Sequence, residues 1–402
     1  MKLFIEQGLF EPYEHAVQAR LAAIRPFEYA QTRNHIDGAV SMLSPYLTHG
    51  FLTVPQVADH LYKVHRMGAQ HKLIYELAWR EYFQHVHEHL ADQVLSNLHE
   101  GVLPDDAYSQ SVPDDVRRGA SGVPAIDQAV RQLYFNGYIH NHARLWLASY
   151  LVHMRKVHWR AGAEWMYSHL LDGDIASNHL SWQWVAGTGS SKPYLFNAEN
   201  VAIHAPEHWH SPNTVIDKPM DIIEMIAHSR ATFTQATPKH EHVAEPDVLQ
   251  APPAEADLVA SGLAADKLIG KEVWWIHPWS LSERSPANVP ADAMRVAACW
   301  HEWTKERPWS RGRWLFVAKG MHQLASHCWF EDGARLTEVF SKAKAVHVWD
   351  HISLPQWSGV NWVRHRPPRL WPRQTERSPS FSHWWGKVTR YKQSIPQLLR
   401  NL

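Results

Sequence analysis

Tyr138-Ile-His140-Asn141-His142-Ala-Arg144 is followed, about thirty residues on, by Asp172-Gly173-Asp174-Ile-Ala-Ser-Asn178 and then by Trp182-Gln-Trp184. On a helix, His140 and Arg144 stand four apart and share one face. The second stretch sets two carboxylates around a glycine, at the end of the amphipathic run Trp159–Leu171. An Arg on one element facing an Asp on another points to a partly buried ion pair, which is costly to build without a purpose. The indoles add large, polarisable rings able to pass electrons.

Upstream, Ser41-Met-Leu43-Ser44-Pro45-Tyr46-Leu47 puts hydroxyls in a turn before a helix. Such a turn offers donors to a pyrophosphate, although the same pattern serves an ordinary helix start with Pro45 in its first turn. Glu76-Leu-Ala-Trp79-Arg80-Glu81-Tyr82 falls on a helix expected over 71–90. Glu76 and Trp79 are three apart and share a face; a core Trp beside a surface Glu is the plainer reading of that pair.

Taken in order, these motifs resemble the flavin-binding core of the photolyase and cryptochrome family over about residues 20–215. The family's pattern runs Met-His-Asn-Arg-x-Arg, Asp-Gly-Asp-x-Ala-x-Asn, Trp-Gln-Trp. Ser121-Gly122-Val-Pro124 and the residues to Leu133 also resemble a family motif. Departures are visible. Val40-Ser41-Met42-Leu43-Ser44 lacks the family's Thr and Arg, His142 stands for an Arg, Leu145 for a Met, and Val116-Arg117-Arg118 lies where an outer Trp is usual.

The resemblance implies non-covalent FAD, with Tyr29, Ser41, Leu43 and Ser44 at its phosphates and ribityl chain. Arg144 and Asp172 would pair across the ring, with Arg80, Gly173 and Asp174 nearby and Asn178 facing N5. It implies a lesion pocket of Glu76, Trp79, Asn141 and Trp184. There a flipped-out pyrimidine dimer finds an aromatic wall and an edge reader. Electrons would pass through Trp182 and Trp159, with Trp146, Trp165 and Tyr138 open as substitutes for the outer Trp. Arg33, His140 and Asn141 would meet DNA. The function implied is photolyase-type repair of cyclobutane pyrimidine dimers, with single strands preferred over duplex. The alternative is a cryptochrome-like blue-light receptor with a signalling partner.

The chain has 402 residues, 45% of them hydrophobic, and balances 40 Lys/Arg against 40 Asp/Glu. The balance is uneven: residues 1–235 carry 18 cations against 24 acids, and the remainder 22 against 16. Nucleic-acid binding asks for a clustered cationic face, so an acidic flavin-type half weighs towards the receptor. No apolar run reaches a membrane span, Met1-Lys2-Leu3-Phe4-Ile5-Glu6 does not resemble a signal peptide, and two cysteines make no disulfide framework. A cytoplasmic protein is expected. His85-x-His87-x-His89 aligns only two histidines on a helix face, too few for a metal; His204, His208 and His210 read the same way.

The predicted fold is mainly α: an all-helical FAD-binding domain over 1–235, a Pro/Ala/Glu-rich linker over 236–267, and a small α/β domain over 268–402. Helices are predicted at about 10–24, 54–65, 71–90, 124–134, 138–157, 160–171 and 174–186. After the linker, 272–277, 313–318 and 345–349 read as buried strands, with helices at 291–306 and 333–342 between them. Family members carry an α/β antenna domain before the flavin domain. The α/β region here resembles a transposed or reduced version, with any antenna chromophore unknown.

Overall fold

A computed structural model describes residues 9–235, 242–258, 265–390 and 393–400. Up to residue 227 it is helical. The helix Val54–His65 opens with a capping box, in which Thr53 and Gln56 satisfy each other's backbone donors, and closes at a left-handed Arg66. Helix α1 (Lys72–Leu90) starts where His71 Nδ1 accepts from Leu73 N at 3.2 Å. Helix α2 (Asn141–Ser149) is capped by His140 in the same way, and α3 (Trp159–His169) by His158. The Asp174 carboxylate caps α4 (Ile175–Ala186), accepting from Ser177 N at 2.8 Å. The helix predicted over 138–157 is shorter than expected. It starts at 141 and gives way to a buried π-turn at Tyr150–Met154.

Beyond residue 268 five strands form one parallel sheet: β1 (Glu272–Ile276), β2 (Met294–Trp300), β3 (Cys328–Glu331), β4 (Ala345–Trp349) and β5 (Trp362–His365). Their order is β3-β2-β1-β4-β5. The chain runs outward from β1 one way and then returns to its other side, so the order reverses between β1 and β4. Two predictions fail here. Residues 294–300 are strand β2 rather than helix, and Arg313–Ala318 belongs to helix α5 (Arg311–Leu324) rather than a strand. Periodicity cannot separate short buried apolar runs of either kind. Val296–Trp300 is buried on both faces as a central strand, whereas Lys319–Leu324 prolongs the second run into a helix. Strands β3 and β5 were not predicted.

The hydrophobic cores do not follow the expected domain boundary. One joins residues 10–94 and several from 167–180 to the α/β region; the other gathers residues 112–226. Part of the expected linker is also docked. Glu245 accepts from Trp165 Nε1 at 3.0 Å and faces His169 Nε2 at 3.1 Å and Arg117 Nε at 2.6 Å. Val248–Leu249 pairs antiparallel with Trp309–Ser310. Residues 236–241 and 259–264 of that linker lie outside the described residues. No described helix is long and apolar enough to cross a membrane.

Candidate functional site

Helices α2, α3 and α4 and the turn before α4 enclose a cavity of about 130 Å³. Its wall includes Ser44, Arg80, Asn141, Arg144, Asp172, Asn178 and Trp182. Arg144 Nη2 donates to Asp172 Oδ2 at 2.7 Å, and its Nε donates to Ile139 O at 3.0 Å. The guanidinium lies over the Tyr138 ring at 5.3 Å. Ser44 Oγ donates to the same Asp172 oxygen at 2.5 Å. The Asp172 side chain is 2% exposed, so the pair is desolvated on the carboxylate side. Asp172 holds the Arg144 pKa above its ordinary value despite burial, so the cation persists.

The turn 172–174 is gripped from several sides. Asp174 Oδ2 accepts from Gln84 Nε2 at 2.6 Å and Arg80 Nη2 at 3.3 Å. Buried Arg313, on α5, donates to Gly173 O at 2.6 Å and Tyr167 O at 3.2 Å, between the rings of Tyr167 and Trp309. A Cβ on Gly173 would lie 2.5 Å from the Arg313 guanidinium, so glycine is required there for close approach. His49 bridges the same region, with Nε2 2.8 Å from Leu171 O and Nδ1 2.6 Å from Pro278 O. Sequence reasoning missed Arg313, Gln84 and His49. Only the oddity of an Arg within an apolar run could have flagged the first.

Two buried polar atoms at this wall, Asp172 Oδ1 and Ser177 Oγ, have no partner among the described residues. A buried carboxylate oxygen without a donor is costly. The cavity therefore fits a flat ring system whose edge carries hydrogen-bond donors and acceptors. Asn178 Nδ2 donates to Ala163 O at 2.8 Å, which fixes its amide at the wall. Buried Trp182 packs against Gly162 of α3, and Trp159, on the same helix, donates to Asn97 Oδ1 at 2.6 Å. Of the substitutes considered for an outer Trp, Trp146 is buried and donates to Asn200 Oδ1, Trp165 is bound to Glu245, and Tyr138 lies beside Arg144.

The other sequence-predicted residues scatter more. Ser41 is half-buried and Leu43 buried in the segment leading into the one-turn helix Ser44–Thr48. Tyr29, on the helix Pro26–Thr32, has its pKa raised by burial, with Glu76 adding to the effect and Arg33 opposing it. Glu76 is clamped by Lys72 Nζ at 3.1 Å and Arg33 Nε at 3.5 Å. Asn141 is exposed at the cavity mouth, and Trp184, 38% exposed, stacks on Tyr194 at 5.5 Å. His140 is buried, and burial lowers its pKa to about 4, so at neutral pH it is no cation for a phosphate. Trp79 differs most from expectation. The face read as a wall for a base is stacked on Phe381 of helix α6 (Phe381–Val388), with ring centroids 3.8 Å apart and planes at 9°. A larger cleft of about 570 Å³ opens at the C-terminal ends of β1 and β4, with Trp279 and His351 at its wall, and shares Arg80 and Asp174 with the helical half.

Residues 73–213 match the family model described as the FAD binding domain of DNA photolyase. The chain is 30% identical over 240 residues to the deoxyribodipyrimidine photo-lyase of Streptomyces griseus, covering 52% of this chain and 51% of that protein. It is 32% identical over 169 residues to a cryptochrome DASH, chloroplastic/mitochondrial, of Solanum lycopersicum, covering 40% and 29%. A solved bacterial class III photolyase from Agrobacterium tumefaciens is 27% identical, with a TM-score of 0.43, over 49% of this chain and 44% of that one. The chain thus spans about half the length, or less, of the relatives it matches.

Proposed function

The helical half of the chain belongs to the photolyase/cryptochrome family, with FAD as its cofactor, and from that premise we propose a light-driven DNA-repair enzyme acting on cyclobutane pyrimidine dimers. The observation that supports it most is the Arg144–Asp172 pair at the wall of a cavity shared with Asn178 and Trp182, with Asp172 Oδ1 left for a ligand donor. When bound, FAD supplies a single electron under light. Arg144 contributes a fixed cation held by Asp172, Ile139 O and the Tyr138 ring. Asn178 contributes an amide that neither gives nor keeps a proton. Ser41, Leu43, Ser44, Tyr29 and Arg80 would hold the remainder of the dinucleotide, and buried Trp182 and Trp159 would relay electrons.

In this reading the flavin domain covers 1–235 and a connecting segment 236–267. Residues 268–402 are a transposed antenna-type domain, which the parallel sheet and the reversal of strand order between β1 and β4 support. The partner is dimer-containing DNA, single-stranded in preference, in the cytoplasm. The Phe381 stack on Trp79 favours a second reading, a blue-light receptor that signals through a protein partner, because it covers the surface a lesion would use.

The test is illumination of the FAD-loaded, reduced protein with a dimer-containing oligonucleotide. Thymine absorbance should recover, and Glu76→Ala should slow recovery while FAD is retained. No recovery with the flavin reduced leaves the receptor ahead.

A further inference from the structure

The helical half is acidic overall, so the polyanion of the repair reading has to be held elsewhere. Residues 366–390 carry six cations, Arg366, Arg369, Arg373, Arg377, Lys387 and Arg390, against one acid, Glu376. Such a run on a chain of zero formal charge is the footprint of counterion-releasing contacts with phosphates.

Polar side chains of α1 pin this arm in place, among them His89, whose Nε2 lies 3.2 Å from Thr375 O. Glu81 accepts from Leu370 N at 2.7 Å and Trp371 N at 3.2 Å. His85 Nε2 accepts from Ser378 N at 3.1 Å. Glu88 pairs with Arg369 at 2.8 Å and Arg373 at 2.7 Å. Residues 81, 85 and 88 share one helix face, so the arm is laid along α1. Two of its cations are spent on Glu88. Arg366, Arg377, Lys387 and Arg390 are exposed and make no ion pair among the described residues.

Beside these cations runs a nearly parallel series of rings. Trp385 lies on Phe381 at 6.0 Å and 14°, and Phe381 on Trp79 at 3.8 Å and 9°. Half-buried Trp385 forms the outer end. Cations interleaved with stackable rings bind single strands, because an unpaired base offers its π-face whereas a duplex hides it.

We propose that the arm 366–390 is a docking surface for single-stranded DNA. This deepens the repair reading by naming where its polynucleotide is held, but the contact needs neither lesion nor light.

The test uses the FAD-loaded 402-residue chain in the dark, with a labelled dimer-free oligothymidine of about 16 nucleotides, read by fluorescence anisotropy across about 50 to 200 mM salt. The triple variant Arg366→Glu/Arg377→Glu/Lys387→Glu should bind more than tenfold more weakly. Its slope of log K against log salt should be shallower by about 2, from three lost contacts at about 0.7 each. Trp385→Leu should weaken binding about fivefold or more and leave the salt slope unchanged, because stacking releases no counterions. A triple variant that keeps FAD, melting temperature, affinity and salt slope overturns the proposal. So does a wild-type protein that binds duplex or polyglutamate as tightly as the oligonucleotide, or does not bind it at low salt. Since the probe holds no dimer and no light is used, this result stands apart from success or failure of the repair assay.

Discussion

Asp172 concentrates the chemistry of the helical half in one carboxylate. One oxygen takes Arg144 and Ser44; the other has no partner among the described residues. Replacing it by Asn leaves Arg144 without its counter-charge. Removing one partner of a desolvated pair costs roughly 3 kcal/mol. Asp172→Asn is therefore expected to lower the melting temperature and to release FAD on gel filtration. A variant with unchanged melting temperature and flavin content would remove Asp172 from the site. The pair was legible in the sequence because a helical Arg and a turn Asp near a glycine recur as a family motif. Arg313 and Phe381 were not, because each reaches its partner, Gly173 or Trp79, from more than a hundred residues away.

Helix α3 and helix α4 meet through Gly162 and Trp182. A Cβ at 162 would lie 2.4 Å from the Trp182 ring, which is buried and rigid. Gly162→Ala gains about 1 kcal/mol of helix propensity. Overpacking a buried ring costs about 1–3 kcal/mol and wins, because the clash is with a buried indole and not with the end of a flexible side chain. A drop of about 1–2 degrees in melting temperature is expected for a chain of 402 residues, and a rise would show that the two helices can part. The helix Val54–His65, with caps at both ends, matches the expected bounds to the residue. The misreadings at 294–300 and 313–318 fell in the α/β region, where most side chains of an interior element are buried and the alternation that marks a strand is lost.

The molecule as a whole should be acid-sensitive. Burial lowers the pKa of His153 and His277 to about 4 and of His179 to about 3. Unfolded, each takes up a proton near its ordinary value of about 6.5. Stability is thus present above that pH and lost as the pH falls from about 6.5 towards 4. Between pH 7 and 5.5 each histidine costs roughly 1.2 kcal/mol by this linkage. Glu81 runs the other way: burial pushes its pKa up to about 7. Its folded form takes up a proton first and returns roughly 1.5 kcal/mol over the same interval. These three histidines outweigh Glu81 by about 2 kcal/mol, enough to lower the melting temperature of a 402-residue chain by about 2 degrees, and His49, His140 and His142, also lowered to about 4, act in the same direction. Calorimetry at the two pH values decides it, and a flat profile would mean the histidines are protonated in the fold.

The sequence by itself determined the helical flavin-binding half, its cofactor and the Arg144–Asp172 pair, because these rest on local spacing and on motifs whose order survives without coordinates. Tertiary structure decided the rest. It showed that the first helices share a core with the parallel sheet, that Arg313 and His49 brace the aspartate turn, and that the C-terminal arm lies on Trp79. Those contacts join residues distant in the chain, and their burial depends on which surfaces meet, which no local pattern encodes.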